Sequence, residues 1–297
     1  MAGIFEIITD ATVDFIPDLI EEHEITVIPM EFHIGGSSYQ HHYDFREYGA
    51  KEFYDALQSG LNSTTSQVTP NHFEDVFRDF ARQGKDFIYL GFSSGMSGTY
   101  GASLLAIRNL QEEFPEVKMM AVDTLCASGG EGLAVYIASK MRENGASMEE
   151  IATWVTEKAS KKIVHWISVD DLKHLARGGR ISAVSASIGT VLSVKPILRV
   201  NEEGKLEVVD KCRGNKAKMK NLAQKFEAMW EPDEHREIVI FHAQAKEEAQ
   251  KTEEMLRSLD LCKKYQPEIL ITEIGPVVGS HTGKGCVCVA FWGKNRG

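Results

Sequence analysis

The chain has 297 residues, enough at roughly 150 residues per domain for two domains, and its 43% hydrophobic and 26% charged residues are those of an ordinary globular protein rather than a disordered one. Thirty-three basic residues against forty-three acidic ones leave a formal charge of −10. That repels phosphate backbones and anionic lipid surfaces, so nucleic acid is not expected as a partner, and membrane contact is expected to be transient or absent. No apolar run approaches the roughly 20 residues of a membrane-spanning helix, the first ten residues lack a basic leader region, and the five cysteines, Cys126, Cys212, Cys262, Cys286 and Cys288, odd in number and mostly scattered, suggest neither a disulfide framework nor a zinc site, with Cys286 and Cys288 read as buried thiols of an apolar strand. The expected setting is the cytoplasm.

Ile4 to Thr9 reads as a strand and Pro17 to Ile20 as part of a helix. Glu24 to Phe32 is apolar but contains Pro29, which fits an edge strand or an irregular turn. Gly35 to Gln40 reads as a turn, Asp44 to Gln58 as a helix, and Asn62 to Thr69 as a hydroxyl-rich loop. Thr69 and Pro70 then open a helix as N-cap and first helical residue, and Gly84 closes it. Phe87 to Phe92 is a continuous apolar strand of the kind covered on both faces in a parallel sheet. Helices from Thr99 and over Leu133 to Met141 alternate with a strand over Val117 to Val122. This alternation predicts a doubly wound, mostly parallel α/β sheet.

Ser147 and Glu150 form a capping box ahead of Ile151, Trp154 and Val155, after which the pattern changes. Pro196 to Val200 and Lys205 to Asp210 read as a hairpin around Asn201-Glu202-Glu203-Gly204. Helix Ala217 to Trp230, strand Glu237 to His242, helix Lys246 to Leu261 and strands Ile269 to Ile274 and Cys286 to Trp292 follow. The expectation is an α/β, Rossmann-like domain over 1–155 and an α+β domain with a mostly antiparallel sheet over 156–297, with the boundary inside the stretch from Gly145 to Lys162. No flexible linker separates them, so a site between them is expected.

Three stretches carry chemistry. Gly91-x-Ser93-x-Gly95 matches a nucleophile elbow, which would make Ser93 a hydrolase nucleophile with Asp123 and His281 following. The same glycines also suit a plain strand-to-helix turn. Ser94 and Ser97 fit a third role, holding a carboxylate or phosphate at a helix start beyond the carboxyl end of a parallel strand. No GxGxxG or P-loop argues for a nucleotide. Gly178-Gly179-Arg180 lets backbone come close while a guanidinium reaches a buried anion or carbonyl, and equally suits a solvated turn; His281 stands before the last strand, where a lone histidine is ordinarily structural or solvated.

Together these stretches resemble the DegV family of fatty-acid-binding proteins, the lipid-carrying subunit of bacterial fatty acid kinase. The resemblance runs through Thr9-Asp10-Ala11-x-x-Asp14, Thr65-Ser66-Gln67, Ser93-Ser94-x-Met96-Ser97-Gly98-Thr99-Tyr100, Val122-Asp123-Thr124, Leu172-x-x-Leu175-x-x-Gly178-Gly179-Arg180-Ile181, Lys195-Pro196-Ile197-Leu198 and Lys211-x-Arg213. It implies one long-chain fatty acid in an interdomain tunnel, its carboxyl group held by Thr65, Ser97, Arg180 and His281, with Ser94 able to contribute. It further implies that a separate ATP-dependent kinase subunit phosphorylates that carboxyl group to an acyl phosphate for phospholipid synthesis. This chain would then be a carrier with no catalytic residue, metal or cofactor of its own. Arg213 matches a family arginine tied to the kinase step; Lys211, Lys216, Lys218 and Lys220 nearby either dock an acidic partner surface or, as charge on a helix more often does, simply solvate the helix. The sequence departs from the family at Ala11, at Val68 and at Lys284, which would set a cation beside His281. A regulatory lipid sensor without a kinase partner is the remaining alternative.

Overall fold

A computed structural model of the chain describes residues 5–182 and 193–296. Its strands, in chain order, are β1 (Glu6–Asp10), β2 (Ile25–Ile28), β3 (Met30–Ile34), β4 (Ser37–His41), β5 (Ser63–Thr65), β6 (Phe87–Gly91), β7 (Met119–Asp123), β8 (Ile163–Ser168), β9 (Val194–Val200), β10 (Leu206–Arg213), β11 (Ile238–His242), β12 (Ile269–Glu273) and β13 (Val287–Trp292).

β2, β1, β6 and β7 form a parallel sheet in that order. Ile7 faces Ile25 on one side and Ile88 on the other, and Leu90 faces Val122. All five residues of β6 are buried, which is why that strand is apolar without alternation. The order reverses direction between β1 and β6, and a sheet of this kind leaves a crevice beyond the carboxyl ends of its strands. Pro29 sits between β2, an edge strand, and β3, where its missing N–H removes no bond from the interior of a sheet.

The second sheet has the order β10-β9-β8-β13-β11-β12, antiparallel except for the β11–β12 pair. Its residues alternate cleanly. Ile163, Ile167, Val239, Phe241, Cys288 and Ala290 join the core shared with the parallel sheet, while Val164, Trp166, Ile240, Val289 and Phe291 pack in a separate core with Leu222 and Phe226 of the helix Asn215–Met229. The helix Gly129–Glu143 lies between the two sheets and is buried from Gly129 to Ser139. A β-carbon at Gly129 would come within 2.6 Å of the Phe241 ring, and one at Gly130 within 1.9 Å of His165 Nε2. The glycines let this helix lie against the second sheet. A third sheet, β4-β3-β5, is antiparallel.

Several expectations change. Only Gly35 and Gly36, at φ 61° and 84°, make the turn expected through Gln40, and β4 begins at Ser37. The hydroxyl-rich loop contains β5, and the helix expected from Asp44 starts at Ala50. The helix expected over Lys246 to Leu261 ends at Ser258, and a second, Asp260–Tyr265, follows the extended Leu259. β8 and the short helices Lys173–Arg177 and Pro276–Thr282 were not expected. The expected division between 155 and 156 falls inside a helical run made of Met148–Trp154, a π-helical turn Val155–Ala159 and Ser160–Lys162. No helix among the described residues is long and apolar enough to cross a membrane.

Candidate functional site

A cavity of about 250 Å³ opens between the carboxyl ends of the parallel strands and the inner face of the second sheet. Thr12 follows β1, Phe92 and Ser97 follow β6, and Ser128 follows β7; His165, Ile167, Phe241 and Cys288 face them from the second sheet. Most of the wall is apolar, and Thr65, Ser97, Arg180 and His281 form one polar cluster on it, with His281 against Thr65 and near Arg180, and Arg180 against Met96 beside Ser97.

Thr65 is placed by β5, where it pairs with Phe32. Its Oγ1 lies 3.0 Å from Nε2 of His281, which rides the helix Pro276–Thr282. The other ring nitrogen, Nδ1, is buried without a hydrogen-bond partner, and a β-carbon at Gly178 would come within 2.2 Å of it. Leaving an acceptor bare costs less than leaving a donor bare, so we assign the proton to Nε2, donating to Thr65. Burial, with Arg180 and Arg177 nearby, pushes the His281 pKa down to about 4, and the ring is neutral at neutral pH. Thr65, accepting from the ring, has its own O–H left to point into the cavity.

Arg180 is positioned by the two glycines before it. Gly178 gives His281 room, and Gly179, at φ 71°, reverses the chain after the helix Lys173–Arg177 so that Arg180 N–H donates to Leu175 O at 2.9 Å. The half-buried guanidinium donates through Nε to Met96 O at 3.2 Å and through Nη1 to Gly178 O. Burial lowers its pKa, but no carboxylate pairs with it among the described residues. Ser97 Oγ lies 3.0 Å from Thr99 Oγ1 and accepts the Thr99 N–H at 3.3 Å.

Ser94 is not brought to this cluster. It is exposed, and its N–H donates to the Asp123 carboxylate at 3.2 Å. The hydrolase reading also fails on geometry. Ser93 is fully buried and its Oγ donates to Gly204 O at 2.7 Å; Asp123 is held by the Ser94 and Leu125 N–H groups, and His281 belongs to Thr65. The glycines of the elbow-like motif answer to packing. A β-carbon at Gly95 would come within 2.4 Å of Glu203 O, because the tip of the β9–β10 hairpin rests on this turn.

Arg213 ends β10, opposite Val194, exposed and outside the cavity wall. Lys211, Lys216 and Lys220 are exposed as well, but Lys218 is not available to a partner. It is fully buried, with Nζ 2.7 Å from Gly285 O, 2.5 Å from Glu248 and 3.6 Å from Asp170. Lys284 turns away from His281 to donate to Gln58 at 2.7 Å. The cysteines are free, and Cys286 and Cys288 lie Sγ to Sγ at 3.4 Å.

Residues that sequence reasoning gave no role also reach the wall, among them Thr12, Ser66, Gln67, Ser128 and His165. Behind Thr12 and Ser128 lie three buried carboxyl groups. Thr12 donates to Asp10 and approaches Glu131 at 3.1 Å, Tyr89 donates to Asp10 at 2.5 Å, and Ser128 donates to Asp14 at 2.6 Å. Burial raises all three pKa values, that of Asp14 to about 8. The Thr-Asp-Ala-x-x-Asp pattern marks this network, though its spacing alone says nothing of a cavity.

The DegV family model, described as uncharacterised protein, matches residues 4–294. The chain belongs to the DegV family. A DegV domain-containing protein of Clostridium perfringens is 39% identical over 293 residues, 98% of each chain, and one of Lactococcus lactis is 34% identical over 286 residues, 96% of each. Among solved structures, a fatty acid binding DegV family protein from Streptococcus agalactiae superposes with a TM-score of 0.82 at 30% identity, covering 98% of this chain and 99% of its own. A DegV family protein from Thermus thermophilus, described for its fatty acid binding, gives 0.82 at 28% identity over 98% and 100%. The α/β fold with a parallel sheet and a separate mixed sheet is thus the DegV fold.

Proposed function

We propose that this DegV-family chain binds one long-chain fatty acid, with the tail in the apolar part of the cavity and the carboxylate at Thr65, Ser97, Arg180 and His281. The observation that carries the reading is Arg180, a half-buried cation at the polar end of an apolar cavity with no carboxylate partner among the described residues. An anion there gains an ion pair with the guanidinium, which the neutral carbonyls of Met96 and Gly178 cannot supply. Neutral His281 orients Thr65 to donate as well. Each buried methylene adds about 0.8 kcal/mol, so the tail supplies affinity while the polar end fixes direction. The fatty acid binding of the Streptococcus and Thermus proteins supports the ligand class.

The bound acid is then presented to a separate ATP-dependent kinase subunit, which phosphorylates the carboxyl group to an acyl phosphate used in phospholipid synthesis. Arg213, exposed and away from the wall, is the residue we assign to that partner. The chain acts as a carrier in the cytoplasm and needs no cofactor or metal for this role. Native mass spectrometry of the purified protein tests the binding. One long-chain fatty acid per chain, retained natively and released on denaturation, is expected; a protein that is empty and takes up no fatty acid of any length would overturn it.

A further inference from the structure

The apolar stretch of the cavity is not uniformly apolar. Thr12 and Ser128 reach its wall from the ends of β1 and β7, and His165 reaches it from β8, two positions before Ile167 and so about 6–7 Å from it along the strand. All three side chains are buried. The Thr12 hydroxyl donates to Asp10 and lies 3.1 Å from Glu131; the Ser128 hydroxyl donates to Asp14. Both oxygens keep a lone pair for a further donor. His165 Nε2 accepts the Ala127 N–H at 3.3 Å, which puts the proton of the neutral ring on Nδ1; the Ile163 backbone lies close enough to act on the ring, but Nδ1 makes no well-formed hydrogen bond. A chain of methylenes offers these groups nothing, and a poorly satisfied buried donor is costly.

The backbone here is also held out of its ordinary range. Ser128 sits at φ 51°, ψ −135°, and Asp14, its partner, at φ 39°, ψ 52°. Strain of this kind on non-glycine residues concentrates where a ligand is gripped. The position along the ligand follows from the helix Pro276–Thr282. Asp14 also accepts the Gly275 N–H at 2.7 Å, and Gly275 lies six residues before His281, about 9 Å along the helix at 1.5 Å per residue. That span falls in the middle of an octadecanoyl chain whose carboxylate meets His281.

Resting on the fatty-acid reading above, we propose that Thr12, Ser128 and His165 form a second polar subsite that accepts a mid-chain hydroxyl, so that the protein takes hydroxylated long-chain fatty acids. A hydroxyl is both donor and acceptor: it can give its proton to a Thr12 or Ser128 oxygen and take one from His165 Nδ1, whereas a keto group lacks the donor.

Calorimetry with octadecanoic, 10-hydroxyoctadecanoic and 18-hydroxyoctadecanoic acids tests this on the wild-type chain without any substitution. The 10-hydroxy acid is expected to bind within threefold of octadecanoic acid, and the 18-hydroxy acid, whose hydroxyl passes the subsite, at least tenfold more weakly. Thr12→Val and Ser128→Ala are each expected to lower the 10-hydroxy to octadecanoic affinity ratio by about tenfold. Octadecanoic acid binding while the 10-hydroxy acid binds tenfold or more weakly would overturn the subsite and leave the fatty-acid reading standing. A ratio that neither substitution moves would overturn the assignment to Thr12 and Ser128. Binding of none of the three acids would overturn both readings.

Discussion

Single residues decide most of what this cavity can do. Asp14 is a buried carboxyl group with its pKa raised to about 8, against an ordinary 3.8 in the unfolded chain. Folded chains therefore keep the proton over a range where unfolded chains have lost it. The contribution to stability is full below about pH 4 and declines as the pH rises to about 8. Asparagine at this position is neutral throughout, tolerates the left-handed backbone, and keeps an oxygen for Gly275 N–H and an amide for Ser128. The melting temperature of Asp14→Asn is expected to exceed that of the wild type at pH 9, with the gap closing toward pH 5. A gap that does not change with pH would show that Asp14 is ionised in the folded protein. Thr65, Ser97, Arg180 and His281 were legible as polar residues in loops and turns, and the structure brings all four to the wall of one cavity. Gly178 and Gly179 were legible as a close approach or a solvated turn. The roles of Lys218 and Lys284 were not, because a lysine on a helix or in a loop looks the same whether its ammonium reaches water or, as at Lys218, a buried carbonyl.

At the scale of elements, local signals succeeded where the chain itself carries the stop or start. The Thr69 side chain caps the helix Pro70–Arg82, and Ser147 and Glu150 close their capping box. They failed at Ser258 and Leu259, where the helix breaks with no glycine or proline to mark it. They also failed at β5 and β4, short polar strands that exist because β3 lies between them. The hairpin of β9 and β10 was legible, but its purpose was not. Its tip packs on the turn after β6: a β-carbon at Gly204, itself at φ 71°, would come within 2.1 Å of Ser93 Oγ and within 3.0 Å of Leu125. Gly204→Ala combines a strained backbone with a clash at a buried contact, and a loss of about 2–4 kcal/mol is expected. Chemical denaturation would measure it. A loss below 0.5 kcal/mol would mean that the tip does not bear on the turn.

Across the whole molecule, the two sheets divide the labour. The parallel sheet offers its carboxyl-end loops, the antiparallel sheet offers its inner face, and the glycine-bearing helix Gly129–Glu143 holds them together. The alternation of strands and helices made the first half legible, and the hairpin made the change in the second half legible. The meeting of the two faces was not, since no local pattern encodes which residues of distant strands share a cavity. Arg213 lies outside that cavity, so the proposed lipid binding and the proposed kinase contact can be separated by substitution. Arg213→Ala is expected to retain bound fatty acid at wild-type stoichiometry and to lose at least tenfold in acyl phosphate formed with the kinase subunit and ATP. Equal transfer by variant and wild type would remove Arg213 from that step, and no acyl phosphate from either would favour a lipid sensor.

The central claim is that the polar end reads a carboxylate. It is tested most directly by measuring the binding of octadecanoic acid and octadecan-1-ol to wild-type protein and to Arg180→Met at neutral pH. The tails are identical, so the difference isolates the head. The wild type is expected to prefer the acid by at least tenfold, in line with the roughly 1.5–3 kcal/mol of a hydrogen bond to a charged group, and Arg180→Met to lose most of that preference while still binding the alcohol. Equal affinity of the wild type for acid and alcohol, or a preference that survives the loss of Arg180, would contradict the account.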